Sequence, residues 1–140
     1  MTTNKKQVHL KLITKIKQPT WQTTKLTTKA KLITKDQTSY LRYEECLKDN
    51  PKALVTFKIK KDQVQLTRQQ DLVRSILVFD PKKNQQTFYQ VGTSKIELEV
   101  KTLSLKIDLK DDTGQISIDY QLYNQAKLLG DYKIRLQFMV

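Results

Sequence analysis

At 140 residues, the chain has room for one hydrophobic core and not for two. Leu, Ile, Val and Phe make up about 29% of it, above the roughly 20% below which disorder is expected, so one folded domain over 1–140 is predicted, with residues 1–6 as candidates for disorder. The net charge is +12, with one His, one Cys and three Gly: this favours anionic partners and excludes a Cys/His zinc site within one chain, a Walker loop and a dinucleotide fingerprint.

Apolar residues alternate through most of the chain, the period of half-buried strands. Val8, Leu10, Leu12 and Ile16 share one face of a first strand, with Lys11, Lys15 and Lys17 opposite. From Trp21 to Ile33, Leu26, Ala30 and Leu32 face one way and Lys25, Lys29 and Lys31 the other. Further strands are predicted at about 39–47, 53–60, 63–68, 72–79, 87–91, 95–109, 115–123 and 132–139. Turn chemistry separates them at Lys35-Asp36-Gln37, Asn50-Pro51, Lys61-Asp62, Asp80 to Asn84, Asp111 to Gly114 and Leu129-Gly130-Asp131. Asn124–Leu129 could add one helical turn. The connections are too short for parallel crossovers, so an antiparallel meander follows.

From Ile96 the apolar set is even-numbered (Ile96, Leu98, Val100), but after Thr102 it becomes odd (Leu103, Leu105, Ile107, Leu109). A parity change inside one strand is what a bulged residue produces, and bulges let a sheet bend and close. Two strands broken near Thr102 would do the same, but no Gly, Pro or Asn interrupts the segment. The fold class read from these patterns is all-β: one closed or nearly closed antiparallel barrel of about eight to ten strands, which leaves no exposed sheet edges.

Polar residues on the inward face are the informative ones. If Leu41, Tyr43 and Leu47 point inward, so does Glu45; Val64 and Leu66 carry Arg68 with them. A lone buried charge is very costly, so the two are expected to find each other or a ligand. Glu45 and Arg68, with Tyr43, Tyr89, Thr102 and Tyr120, are therefore candidates for the polar end of an interior cavity. The pair could equally be an internal salt bridge that sets register. Nothing beside it looks like a nucleophile.

Nine lysines and no acidic residue fall within residues 1–35, leaving 17 Lys and Arg against 14 Asp and Glu in the rest. Lys11, Lys15, Lys17, Lys25, Lys29 and Lys31 occupy one side of a predicted hairpin and are candidates for polyanion binding. Solvated lysines that guard an edge are the alternative. Single-strand nucleic-acid sites interleave stacking aromatics with the cations, and this face offers only Trp21 at its margin.

His9 reads as an exposed strand residue, and Cys46 as a small core or strand residue in a reducing compartment. No cofactor and no catalytic residue is expected. The lysine-interrupted N-terminus never supplies the apolar stretch of a signal peptide, and no run approaches a membrane span. A cytoplasmic protein is expected.

The segments Tyr43-Glu44-Glu45, Val64 to Arg68, Phe88 to Gly92, Ile96 to Thr102 and Gly114 to Tyr120 together resemble the YwiB-type family of small, uncharacterised proteins from low-GC Gram-positive bacteria. The resemblance runs over about residues 8–138. In its Tyr-x-Glu, strand-ending Arg and strand-ending Thr pattern, Tyr43 and Glu45, Arg68 and Thr102 fit. Tyr89-Gln90-Val91-Gly92 lacks the Thr-Pro of the family's turn. The resemblance implies a calycin-like barrel, similar in shape to lipocalins, with no established biochemical function. A non-enzymatic barrel binding a small apolar or amphipathic ligand is the leading reading; a filled barrel meeting an acidic protein or nucleic acid through the lysine hairpin is the alternative.

Overall fold

Among the described residues the alternation becomes ten antiparallel strands: β1 (Thr3–Lys17), β2 (Trp21–Lys35), β3 (Thr38–Glu45), β4 (Ala53–Ile59), β5 (Val64–Gln70), β6 (Val73–Phe79), β7 (Gln85–Val91), β8 (Ser94–Leu109), β9 (Thr113–Asn124) and β10 (Lys127–Met139). The computed structural model describes residues 3–46 and 51–140. Each strand lies beside its neighbours in sequence, and β10 returns to β1 to close the barrel. Of residues 1–6, the candidates for disorder, Thr3 to Lys6 extend β1 and pair with Leu32 to Lys35, and residues 1 and 2 lie outside the described residues. Leu47 and Asn50 lie outside the described residues.

The tight turns follow backbone rules. Asp36 and Gln37 have φ of 51° and 66°, and Gln125 and Ala126 have 49° and 67°. Two successive residues with positive φ make the two-residue hairpin turn whose twist matches that of the flanking strands. The helical turn expected at Asn124–Leu129 is thereby replaced by a hairpin, because β10 already begins at Lys127. Gly130 is likewise no turn residue. It sits inside β10, one residue past an irregularity that leaves Leu129 as the extra residue. A Cβ at Gly130 would stand 2.8 Å from Gln18 Nε2 and 3.2 Å from the Lys17 carbonyl, so the glycine admits the β1–β2 turn against β10.

The parity change in β8 is a bulge. Thr102 faces Tyr120 and Ser104 faces Asp119, which leaves Leu103 unpaired between them. Leu98, Val100 and Thr102 are buried, and Leu105 and Ile107 regain the inward face. Leu103 itself does not join that set; as the extra residue it points into solvent. Ile96 and Leu109, at the two ends of β8, are exposed as well.

The core is densest toward the barrel end that carries the N-terminus, where Val8, Leu10, Ile59, Val64, Phe79, Ile116 and Leu136 are almost wholly buried. At the other end the β1–β2, β5–β6, β7–β8 and β9–β10 turns surround a less filled interior. Two seams are short. β2 and β3 share five pairs, Lys31↔Arg42 to Lys35↔Thr38, and β6 and β7 only three, Val73↔Val91 to Ser75↔Tyr89.

Candidate functional site

Registers place one row of inward residues across the barrel wall: Tyr43 faces Val55, Val55 faces Arg68, Arg68 faces Ser75, and Ser75 faces Tyr89. Glu45 ends β3, two residues beyond Tyr43 and so on the same face. Its Oε2 accepts a 2.6 Å hydrogen bond from Arg68 Nη1. The carboxylate side chain is 16% exposed and the guanidinium side chain 35%. Arginine has five N–H donors in a planar fork, so a single bond to Glu45 leaves donors to spare.

The pair lines a cavity of about 300 Å³. Its walls are mainly apolar, from Leu12, Leu26, Phe57, Leu66, Leu77 and Ile134, and its polar groups are Glu45, Arg68 and the hydroxyls of Thr14, Thr24, Ser75, Tyr43 and Tyr120. Burial raises the Tyr43 phenol well above its ordinary pKa; the negative charge of Glu45 adds to this and Arg68 works against it. Burial raises Tyr120 in the same way, with a further contribution from Tyr132. Both phenols are therefore protonated at neutral pH and can donate. Tyr120 stacks on Tyr132, with ring centroids 5.0 Å apart, and tilts against Phe79 at 4.6 Å. Gln18 Nε2 donates to the Tyr132 hydroxyl at 2.8 Å and to the Leu129 carbonyl at 3.0 Å, tying the β1–β2 turn to the mouth.

Of the six interior candidates, Tyr43, Glu45, Arg68 and Tyr120 meet at this cavity; Tyr89 and Thr102 are not among its lining residues. Tyr89 belongs to the same row but is 36% exposed, because the row climbs over the rim at β7. Thr102 is buried opposite Tyr120, and its hydroxyl has no hydrogen-bond partner among the described residues. Thr14, Thr24 and Ser75 were missed, although the signal was present: each shares parity with apolar inward neighbours such as Leu12, Leu26 and Leu77.

The six candidate lysines, Lys11, Lys15, Lys17, Lys25, Lys29 and Lys31, are all exposed, on the outer face. Across the hairpin no two of them are directly opposed: Lys11 faces Thr27, Lys15 faces Thr23, Lys25 faces Ile13, Lys29 faces His9 and Lys31 faces Gln7. Interleaving weakens the repulsion that six cations on adjacent strands suggest. Lys17 lies between Trp21 and Asp131, and the Trp21 ring carries the Lys133 ammonium 5.2 Å from its centroid. Cys46, expected as a core or strand residue, is exposed just beyond β3.

Among the described residues no group of three His, Cys, Asp or Glu side chains could hold a metal ion. Among the same residues no helix is long and apolar enough to cross a membrane. Nothing in this arrangement points to catalysis.

The barrel is similar to the crystal structure of ywiB protein from Bacillus subtilis, with a TM-score of 0.83 at 20% identity, covering 96% of this chain and 92% of that one. At that identity the likeness speaks for the fold alone. No curated protein matches the sequence. The family described as Domain of unknown function (DUF1934) matches residues 8–136. With the match spanning nearly the whole barrel, from Val8 in β1 to Leu136 in β10, the chain belongs to the DUF1934 family, of YwiB type.

Proposed function

We propose that this protein is a non-enzymatic carrier or sensor, working in the cytoplasm, that holds one small apolar or amphipathic molecule inside its barrel. The observation that carries this reading is the cavity of about 300 Å³ with mostly apolar walls and a single charged pair, Glu45–Arg68. Ligand sites commonly combine an apolar lining with a few placed polar groups, and this volume is at the small end of their range, roughly 300–1,000 Å³. A short chain or a single substituted ring would suit it. The apolar part would lie against Leu26, Phe57, Leu66 and Leu77, with the polar end at Arg68. Glu45 already balances the guanidinium charge, so a hydroxyl or amide head would be accepted beside a carboxylate. A filled barrel with a register-setting ion pair would not need the space.

Native mass spectrometry of protein purified from its own host tests this reading directly. A co-purifying small molecule, released on denaturation, is expected; one with an acidic head should be depleted from Arg68→Met protein. A medium-chain fatty acid and the alcohol of the same length serve as probes in calorimetry; Arg68→Met should weaken the acid by about tenfold and the alcohol far less. Unliganded chain from the host, together with no heat from either probe, would overturn the proposal.

A further inference from the structure

The short β2–β3 seam leaves a feature on the outer wall that the interior reading does not use. Continuing their register would set Ala30 opposite Tyr43, Lys29 opposite Glu44 and Thr28 opposite Glu45. None of these pairs forms: past Arg42, β3 runs with β4 alone, and before Lys31, β2 runs with β1 alone. Among the described residues, Thr28, Lys29 and Ala30 of β2 therefore have no partner on the side of β3.

Beside this edge lies a cleft of about 980 Å³. Lys5, Lys29, Lys31 and Arg42 line it, against the single carboxylate of Glu44. Where the ladder fails, Thr28, Ala30 and Tyr43 also line it. Two independent properties thus coincide, an unpaired strand edge and a wall of positive charge.

We propose that this cleft binds an acidic polypeptide segment in extended conformation, added as a strand to the free edge of β2. Lysines alone would attract any polyanion. An unpaired edge, in contrast, is satisfied by another backbone, whose main-chain hydrogen bonds supply affinity while alternate side chains supply specificity. Nucleic acid fits less well, because single-strand sites stack bases on aromatic rings. Trp21 lies outside the cleft lining and is engaged by Lys133, and Tyr43, which does line the cleft, is buried. The alternation of an added strand also dictates the sequence it would carry. Every second residue would face Lys29, Lys31 and Arg42 and be Asp or Glu; the intervening residues would face Ala30 and Tyr43 and be small or apolar.

The test uses the full chain and a synthetic peptide alternating Glu and Val. Two analogues have alternate amides N-methylated, one in each phase, which leaves the charge intact and removes the hydrogen bonds of one peptide edge. The parent peptide should bind and should slow hydrogen exchange at alternate amides of Thr28–Ala30. One methylated phase should lose at least about tenfold in affinity, while the other retains it. Charge reversal at Lys29→Glu with Lys31→Glu should lose at least as much, and neutral Lys29→Gln with Lys31→Gln serves if the reversed variant does not fold. If both methylated peptides bind like the parent, or an oligothymidylate of equal charge binds as tightly, the face reads charge only and the proposal is overturned. Absence of binding by the parent peptide also overturns it and leaves the lysines as guards of an exposed edge.

Discussion

Arg68 and Glu45 show how one contact fixes what each residue contributes. The carboxylate is mostly buried and the guanidinium about one-third exposed, so the pair lies between a solvated ion pair, worth about 0–1 kcal/mol, and a buried one whose rupture costs about 3–5 kcal/mol. Arg68→Ala is expected to destabilise the fold by about 1–2 kcal/mol in urea unfolding, because it strands the Glu45 carboxylate. Adding Glu45→Gln should recover part of that loss, since no unpaired charge then remains. Tyr43 and Tyr120 give a second prediction. Burial raises both phenols above the ordinary value of 10.0, so the folded state prefers the protonated form. Their contribution to stability is complete below pH 10 and is lost as pH rises from there toward the folded-state values. Thermal midpoints measured at increasing pH above 10 should therefore fall, and Tyr120→Phe should flatten the decline. The inward placement of Glu45 and Arg68 was legible from parity alone, because a strand repeats every two residues. That Tyr89 leaves the cavity was not, because parity carries no information about how near the rim a row has climbed.

At the scale of elements, the bulge in β8, the β9–β10 hairpin and the β2–β3 split shape the barrel. The bulge adds Leu103 between Thr102 and Ser104 and so lets both halves of a 16-residue strand present apolar residues inward. Leu103 is 54% exposed, so Leu103→Ala should change stability by no more than about 0.5 kcal/mol, as exposed substitutions usually do. Deleting Leu103 keeps the pairing parity but removes the bend, and is expected to lower the thermal midpoint by far more. Equal effects of the two changes would show that the bulge has no part in closure. The switch from even to odd apolar positions made this bulge visible in the sequence. The hairpin at Gln125–Ala126 was hidden, since neither residue is a usual positive-φ former and the turn is set by the strands it joins. The β2–β3 split was hidden too. Alternation in Lys25–Leu32 looks the same whether or not a neighbouring strand is present.

The whole molecule carries a charge of +12, and its distribution is shaped by closure. Strand β10 returns to β1 and brings Lys133 directly opposite Lys15, a juxtaposition of residues distant in sequence. Such a field opposes compaction, and salt screens it: the Debye length falls from about 30 Å at 0.01 M to about 8 Å at 0.15 M. Raising the ionic strength over that range is expected to stabilise the protein by on the order of 1 kcal/mol in thermal or urea unfolding, and Lys15→Thr should reduce the gain. A gain that is unchanged in Lys15→Thr would place the repulsion elsewhere.

The sequence by itself determined the strands, their antiparallel order, the bulge near Thr102, and that Glu45 and Arg68 face inward with the core. All of these rest on local chemistry: the two-residue period of a strand, the turn preferences between strands and the cost of burying a charge without a partner. Only the tertiary structure decided which inward residues share a cavity, that Tyr89 emerges at the rim while Thr14, Thr24 and Ser75 line the interior, and that β2 parts from β3 beside Lys29 and Lys31. Those outcomes depend on strand tilt and on the register at which β10 meets β1, which couple residues more than a hundred positions apart and leave no trace in any single segment.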